Sequence, residues 1–175
     1  MRISLISFAV VTAIGGGCSG AVQSTPTVHH SYSAVERATD TRGDQVGAPS
    51  KRTDATVVVV FASWCEPCRN ELAHLGELRK THPNTRIVGL NAYETYEGRS
   101  DKIRLRRFLS QWAPWLRVVP ADQTLLASFG GVRKIPSLFV YNSRGGLVAQ
   151  FRRSKRPPPS PAELSRAVER AASQH

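Results

Sequence analysis

The order of apolar and polar positions predicts strands and helices that follow one another along most of the chain after residue 50. Residues 57–61 form an unbroken β-branched and apolar run, which is typical of a strand buried on both faces of a sheet. Leucines at helical spacing follow this run, and residues 86–90 predict the next strand. Because a strand, a helix and a second strand occur in this order, the two strands are expected to pair in parallel. The pattern therefore predicts an α/β fold.

The second half of the chain carries the boundary signals of further elements. A polar, tyrosine-bearing loop at 91–98 precedes an amphipathic helix that is predicted to begin at Ser100-Asp101. The turn sequence at 143–146 separates two apolar runs and predicts a hairpin. Residues 160–163 form a capping box with proline at the first helical position. The predicted elements are a helix over 100–112, a strand at 117–119, a helix capped by Asp122, strands at 138–141 and 147–151, and a helix from Ser160 to about Ala172.

The pentapeptide Trp64-Cys65-Glu66-Pro67-Cys68 lies between the first predicted strand and its helix. The unsatisfied N–H groups and the partial positive charge of a helix N-terminus favour the thiolate of Cys65. Cys68 lies one turn further along, where its sulfur can reach Cys65 and resolve a mixed disulfide. Pro67 suits a first helical turn because its missing N–H costs little there. The pattern favours thiol-disulfide exchange.

Two other interpretations of the cysteine pair remain open, a structural disulfide and half of a zinc site. A zinc site of this kind needs a second pair of ligands, and the only other cysteine is the distant Cys18. Glu66 also has two interpretations. Its negative charge beside Cys65 disfavours the thiolate, which makes the pair a weaker oxidant and favours the reduction of other disulfides. Alternatively, solvent screens its charge and it has little influence.

These residues resemble the thioredoxin superfamily, and in particular its extracytoplasmic TlpA/ResA-like branch. The segment at 131–138 is similar to the loop that places a cis-proline opposite the cysteine pair. The resemblance, which covers about 48–172, implies a thioredoxin fold with a central mixed sheet, flanking helices and a central helical insertion. It also implies that Pro136 is cis and that the backbone of Ile135 pairs with a substrate strand. The residues alone predict a trans bond at this position.

The resemblance implies further roles for residues near the cysteines. Trp64 is expected to shield the pair and, together with Pro67, to offer an apolar surface that binds substrate. Glu71 matches a glutamate three residues after the second cysteine and is expected to assist proton transfer at Cys68. The alternative for Glu71 is an acidic residue that is simply favoured in the first turns of a helix. Val59 stands where thioredoxin has a buried aspartate, so proton transfer must come from another group.

The resemblance predicts an enzyme, a protein-disulfide reductase, because Ile135 before the proline is similar to reducing thioredoxins. The expected partners are proteins with disulfides, apocytochrome c during cytochrome c biogenesis among them, and a membrane thiol reductant of the CcdA or DsbD type. No cofactor and no metal site is expected. A thiol oxidase that donates disulfides is the first alternative. A copper-binding module is the second, but copper chaperones of this fold carry a late histidine, and none lies between His82 and His175.

The first residues of the chain predict export. Met1-Arg2 and the mostly apolar residues 3–14 have the charge and length of a signal peptide, predicted over 1–17. Small residues before Cys18 resemble a bacterial lipobox, which implies lipidation of this cysteine and a membrane-anchored lipoprotein that faces the periplasm. Gly15 departs from the usual leucine, so cleavage by the ordinary signal peptidase is the alternative. Residues 18–47 are expected to be a flexible tether, and 48–175 the thioredoxin-like domain.

Size and charge narrow the remaining possibilities. A chain of 175 residues with 41% apolar residues accommodates one α/β domain and hardly two. The net charge of +11 favours anionic lipid or acidic partners. Nucleic acid is not an expected partner, because the sequence has no recognised nucleic-acid-binding motif and is predicted to be exported.

Overall fold

The computed structural model describes residues 27–96, 99–100, 102–153 and 157–174. The predicted signal peptide and Cys18 lie outside the described residues. The helices are α1 (Thr27–Arg37), α2 (Glu66–Thr81), α3 (Lys102–Trp112), α4 (Gln123–Ser128) and α5 (Pro161–Ala172). The strands are β1 (Ala55–Phe61), β2 (Thr85–Asn91), β3 (Thr95–Tyr96), β4 (Arg99–Ser100), β5 (Arg117–Pro120), β6 (Ser137–Asn142) and β7 (Leu147–Arg152).

A mixed five-stranded sheet forms the centre of the domain, with the strand order β5-β2-β1-β6-β7. Strand β1 pairs in parallel with β2 and antiparallel with β6. Strand β6 also pairs antiparallel with β7. All seven residues of β1 are buried, as its uninterrupted apolar sequence predicts. The sheet and its flanking helices confirm the predicted thioredoxin fold, and α3 with the β3–β4 hairpin forms the predicted insertion between β2 and β5.

Each face of the sheet packs against its own set of helices. Successive residues of a strand point to opposite faces, so Val57 and Val59 face one core while Val58 and Val60 face the other. Helices α2, α3 and α5 cover the first face, and α1 and α4 cover the second. The cysteine pair belongs to the first core, at the end of β1.

The segment before β1 differs from the prediction of a flexible tether over 18–47. Residues 27–37 form α1, and Tyr32, Val35 and Val46 are buried in the second core. Arg117 of β5 donates from Nε to Asp40 Oδ2 over 2.8 Å, which joins the segment to the edge of the sheet. Within the described residues, the folded domain therefore extends back to Thr27 rather than beginning at residue 48. The sequence pattern did not predict this folded segment, because only a few apolar residues anchor it to the core and the residues they contact are distant in sequence.

The β6–β7 turn packs directly against α1. Gly145 has a φ of +79°, a conformation that glycine adopts without strain. A Cβ atom at Gly145 would lie 2.5 Å from the ring of Tyr32. Glycine is thus required at this turn both by its backbone and by the helix that covers it.

The predicted caps of α4 and α5 agree with the structure, but Ser100, predicted to open the insertion helix, lies in β4, where it pairs with Thr95. Asp122 caps α4, and Ser160 with Glu163 forms the capping box of α5. Helix α3 follows at Lys102, but Asp101, one of its two predicted starting residues, lies outside the described residues. Within the described part of the chain, no helix combines the length and apolar character needed to cross a membrane.

Candidate active site

The N-terminus of α2 holds a disulfide between Cys65 and Cys68, with their Cα atoms 5.2 Å apart. Cys65 is the N-cap of the helix, and its sulfur accepts a hydrogen bond from the backbone N–H of Cys68 over 3.3 Å. Such a donor stabilises negative charge on sulfur. Cys65 is 6% exposed and Cys68 is fully buried. An incoming thiol or disulfide therefore reaches Cys65 first.

The predicted neighbours of the pair lie at its exposed side. Trp64 is exposed, and its indole N–H donates to the carbonyl of Tyr93 over 2.8 Å, so the ring is held in place. Glu66 is exposed and lies 3.5 Å from Arg69. The negative charge of Glu66 is partly balanced by this guanidinium, which reduces its expected effect on Cys65. Pro67 occupies the first turn of α2, as predicted.

A small cavity of about 180 Å³ opens beside Cys65, between the active-site loop and α3. Arg69 of α2 stacks over the ring of Trp112 at 4.9 Å from its centroid, which closes one side. The insertion helix thus contributes a wall to the cavity beside Cys65. The lining residues are Ser63, Trp64, Cys65, Glu66, Arg69, Phe108 and Trp112.

Glu71 is a buried carboxyl group on the same helix, three residues after Cys68. It is 1% exposed, and its Oε1 atom has no hydrogen-bond partner. Burial raises the pKa of Glu71 to about 7, because a charged carboxylate loses its hydration there. At neutral pH the group is thus poised to give or take a proton.

Pro136 follows a cis peptide bond with Ile135, which confirms the predicted geometry. Ser137, the next residue, pairs with Val60 near the end of β1. Pro136 is therefore at the same edge of the sheet as the loop that leads to Cys65. Ile135 packs against the core that contains both cysteines.

A polar network beneath the active-site loop was not predicted from the sequence. Glu94, which is buried, accepts hydrogen bonds from Asn91 Nδ2 over 2.8 Å and from both the backbone N–H and the hydroxyl of Ser63, the former over 3.0 Å. Arg104 of α3 lies 3.6 Å from Glu94 and donates to the Ser63 hydroxyl over 3.1 Å. The network ties the start of the loop to the insertion. Its members are up to 41 residues apart, so no local pattern reveals it.

Glu94→Ala is expected to destabilise the protein by about 2–4 kcal/mol, because Ser63 and Asn91 would lose their acceptor inside the protein. Chemical denaturation of the oxidised protein measures the change. Glu77→Ala, which removes an exposed glutamate paired with Lys80, is the control and should cost less than about 0.5 kcal/mol. Equal stabilities for the two variants would show that the network does not hold the loop.

Among the residues that the structure describes, no group of three or more histidine, cysteine, aspartate or glutamate side chains is arranged to hold a metal ion.

Comparison with known proteins supports the fold. No protein-family model matches the chain. A secreted disulfide oxidoreductase of Mycobacterium tuberculosis, homologous to E. coli DsbE, has a TM-score of 0.62 and 20% identity over 79% of this chain and 98% of its own. A thioredoxin-family thiol:disulfide interchange protein from Chlorobium tepidum has a TM-score of 0.57 and 25% sequence identity, and the match covers 68% of this chain and 80% of that protein. A thioredoxin-like protein from Aeropyrum pernix has a TM-score of 0.65 and 18% sequence identity, and the match covers 79% of this chain and 90% of that protein.

The fold and the site together define the class. The five-stranded sheet, the cis-proline and the bonded Cys-x-x-Cys pair make this chain a thioredoxin-fold thiol-disulfide oxidoreductase. The resemblance to the thioredoxin superfamily that the sequence indicates is confirmed.

Proposed function

We propose that this protein is an extracytoplasmic reductase of protein disulfides. The observation that carries the proposal is the difference in exposure between the two bonded cysteines, since Cys65 is 6% exposed and Cys68 is fully buried. This arrangement suits a pair in which one cysteine meets the substrate and the other resolves the intermediate.

The reaction begins with the reduced dithiol. The Cys65 thiolate attacks one sulfur of the substrate disulfide, which forms a mixed disulfide and releases the other substrate sulfur as a thiolate. Cys68, having lost its proton, then attacks the Cys65 sulfur and releases the second substrate sulfur. Two electrons and two protons have passed to the substrate, and the Cys65–Cys68 disulfide remains. A second dithiol must reduce this disulfide before the next turnover.

Glu71 is the proposed proton acceptor for Cys68. The carboxyl is one helical turn from Cys68, and its pKa of about 7 lets it exchange protons at neutral pH. Val59, at the position of thioredoxin's aspartate, has no titratable group. Within the described structure, Glu71 is the buried carboxyl on the helix of the cysteines.

The direction of transfer is proposed from two residues near the pair. Ile135 before the cis-proline is similar to reducing thioredoxins, and its backbone is the proposed pairing site for a substrate strand. Glu66 adds negative charge beside Cys65, although Arg69 balances part of it. Both features favour a reducing pair over a pair that donates disulfides.

Export and the electron donor are proposed from the sequence and from one relative. Residues 1–17 have the features of a signal peptide that ends before the lipobox-like Cys18, and the similar protein from M. tuberculosis is a secreted one. On this basis Cys18 carries a lipid anchor in the extracytoplasmic space, and a CcdA/DsbD-like membrane protein supplies the electrons. Apocytochrome c is a proposed substrate.

The reduction potential of the cysteine pair tests the direction of transfer. The full chain with Cys18→Ser, which leaves one dithiol, is equilibrated in glutathione and dithiothreitol buffers, and the oxidised fraction is measured. We expect a potential near about −270 mV, typical of reducing thioredoxins. A value near about −120 mV, typical of a strong disulfide donor, would contradict the proposal and indicate a thiol oxidase.

A further inference from the structure

Two adjacent arginines at the end of β7 have very different surroundings. The Arg152 guanidinium is held by contacts within the protein: it donates to the carbonyls of Phe129 and Gly130 and lies over the Phe139 ring. Arg153 is half-buried and donates to the carbonyl of Ile135 over 3.4 Å. This distance is long for an N–H···O hydrogen bond, for which about 2.7–3.2 Å is typical. Apart from this one long bond, the N–H donors of the Arg153 guanidinium have no hydrogen-bond partner among the described residues.

The sheet places Arg153 at the same edge as the active-site loop. Ser137, the first residue of β6, pairs with Val60 of β1 on one side and with Arg152 of β7 on the other. The active-site loop after β1, Ile135 before β6 and Arg153 after β7 therefore follow one another across neighbouring strands. A peptide bound at the cysteine pair and extended across β6 would run toward the end of β7, where Arg153 lies.

The surface around Arg153 is positively charged. A cavity of about 420 Å³ lies between Pro136 and the proline-rich segment after β7, and Arg153 lines it. Glu163 is the carboxylate in this lining, and it is engaged in the capping box with Ser160. Arg133, two residues before Ile135, is exposed. Within the described part of the chain, neither Arg133 nor Arg153 forms an ion pair.

We infer that Arg153 selects substrates that carry acidic side chains close to the reacting cysteine. A backbone N–H of the bound peptide replaces the guanidinium at the Ile135 carbonyl, and the released guanidinium pairs with a carboxylate of the same peptide. The net charge of +11 adds a longer-range attraction for an acidic partner. This inference rests on the proposed activity toward protein disulfides, and it adds a substrate class to that activity.

The test uses two disulfide peptides that differ in the three residues after the cysteine, Glu-Glu-Glu or Gln-Gln-Gln. The reduced full chain with Cys18→Ser reacts with each peptide, and tryptophan fluorescence gives the rate constants. Each value is divided by the rate constant of the same peptide with dithiothreitol, which corrects for its intrinsic reactivity. The corrected ratio should favour the acidic peptide about tenfold, and salt at about 1 M should remove most of this preference.

Arg153→Gln is expected to lower the preference for the acidic peptide about fivefold and to leave the rate with the neutral peptide within about twofold. Arg153→Glu should reverse the preference. The matched control is Arg144→Gln, which removes the same charge from the exposed turn at the other end of the β6–β7 hairpin, roughly 17 Å away. This control should keep the full preference.

The outcomes separate the inference from the activity on which it rests. An unchanged preference in Arg153→Gln, or an equal loss in Arg144→Gln, overturns the inference while the activity stands. Arg153→Gln that weakens binding to phosphatidylglycerol vesicles but not peptide discrimination identifies a lipid contact and also overturns the inference. If the unmodified protein reacts with neither peptide, the proposed function itself fails.

Discussion

Cys65→Ser is expected to lower the rate of protein-disulfide reduction at least about 1,000-fold, to the background level. Cys68→Ser is expected to stop turnover as well, but to accumulate the mixed disulfide between Cys65 and the substrate. The reason is exposure, because Cys65 is 6% exposed and Cys68 is fully buried behind it. Mass spectrometry of each variant after incubation with a disulfide peptide, without added reductant, measures the trapped species.

Cys18→Ser is the control for both cysteine variants. Its activity should equal that of the unmodified protein, because the proposed function gives Cys18 no redox role. Capture of the peptide by Cys65→Ser through Cys68 would contradict the assigned order of attack. Loss of activity in Cys18→Ser would instead bring the third cysteine into the reaction.

Glu71→Gln is expected to make the protein more stable and the enzyme slower. Burial raises the pKa of Glu71 from 4.5 to about 7, and each unit corresponds to about 1.4 kcal/mol. At pH 8 the folded protein holds a buried charge that the amide would not carry. The variant should therefore gain about 3 kcal/mol of unfolding free energy at pH 8, measured by denaturation of the oxidised form.

The raised pKa of Glu71 also determines how the unfolding free energy should change with pH. Between about pH 4.5 and 7 the folded protein holds a proton on Glu71 that the unfolded chain has released. The unfolding free energy of the unmodified protein therefore falls as pH rises through this range and levels off above it. In Glu71→Gln this decline should disappear, and below about pH 4.5 the two proteins should have similar stability. Glu77→Gln, an exposed site on the same helix, should change neither the value nor its pH dependence.

The catalytic part of the Glu71 prediction has its own measurement. Glu71→Gln should slow the resolving attack of Cys68 about 100-fold at neutral pH, if loss of a proton-transfer group has its usual effect. The decay of the mixed disulfide after mixing with substrate reports this step. A variant that gains stability but resolves the mixed disulfide at the normal rate would show that Glu71 is a buried acid without a role in proton transfer.

Local sequence was sufficient for the central architecture and for the cysteine pair. The valine run of β1 is buried on both faces, and the spacing of apolar residues in α2 and α5 places these helices on the sheet. Cap residues such as Asp122 and Ser160 mark helix starts because they bond to N–H groups two or three residues away. Such signals involve neighbours in sequence. The position of Cys65 at a helix start followed from them.

The cis state of Pro136 came from the resemblance alone. An Ile-Pro bond carries no local mark of its isomer, and the residues by themselves favoured trans. The α1 segment shows the opposite case, in which local evidence was misleading. Its few apolar residues predict a flexible tether, but Tyr32 packs against Tyr141, more than 100 residues away, with their ring centroids 5.1 Å apart.

The sequence by itself determined the α/β fold, the order of the elements from β1 onward except β3 and β4, and the reactive pair Cys65–Cys68, because each depends on residues close together in the chain. The tertiary structure decided which sulfur is exposed, how deeply Glu71 is buried, that Glu94 holds the active-site loop, and that Arg153 lies beside Ile135. These features depend on burial and on contacts between distant segments. Both arise only when the sheet brings β1, β6, β7 and the insertion together.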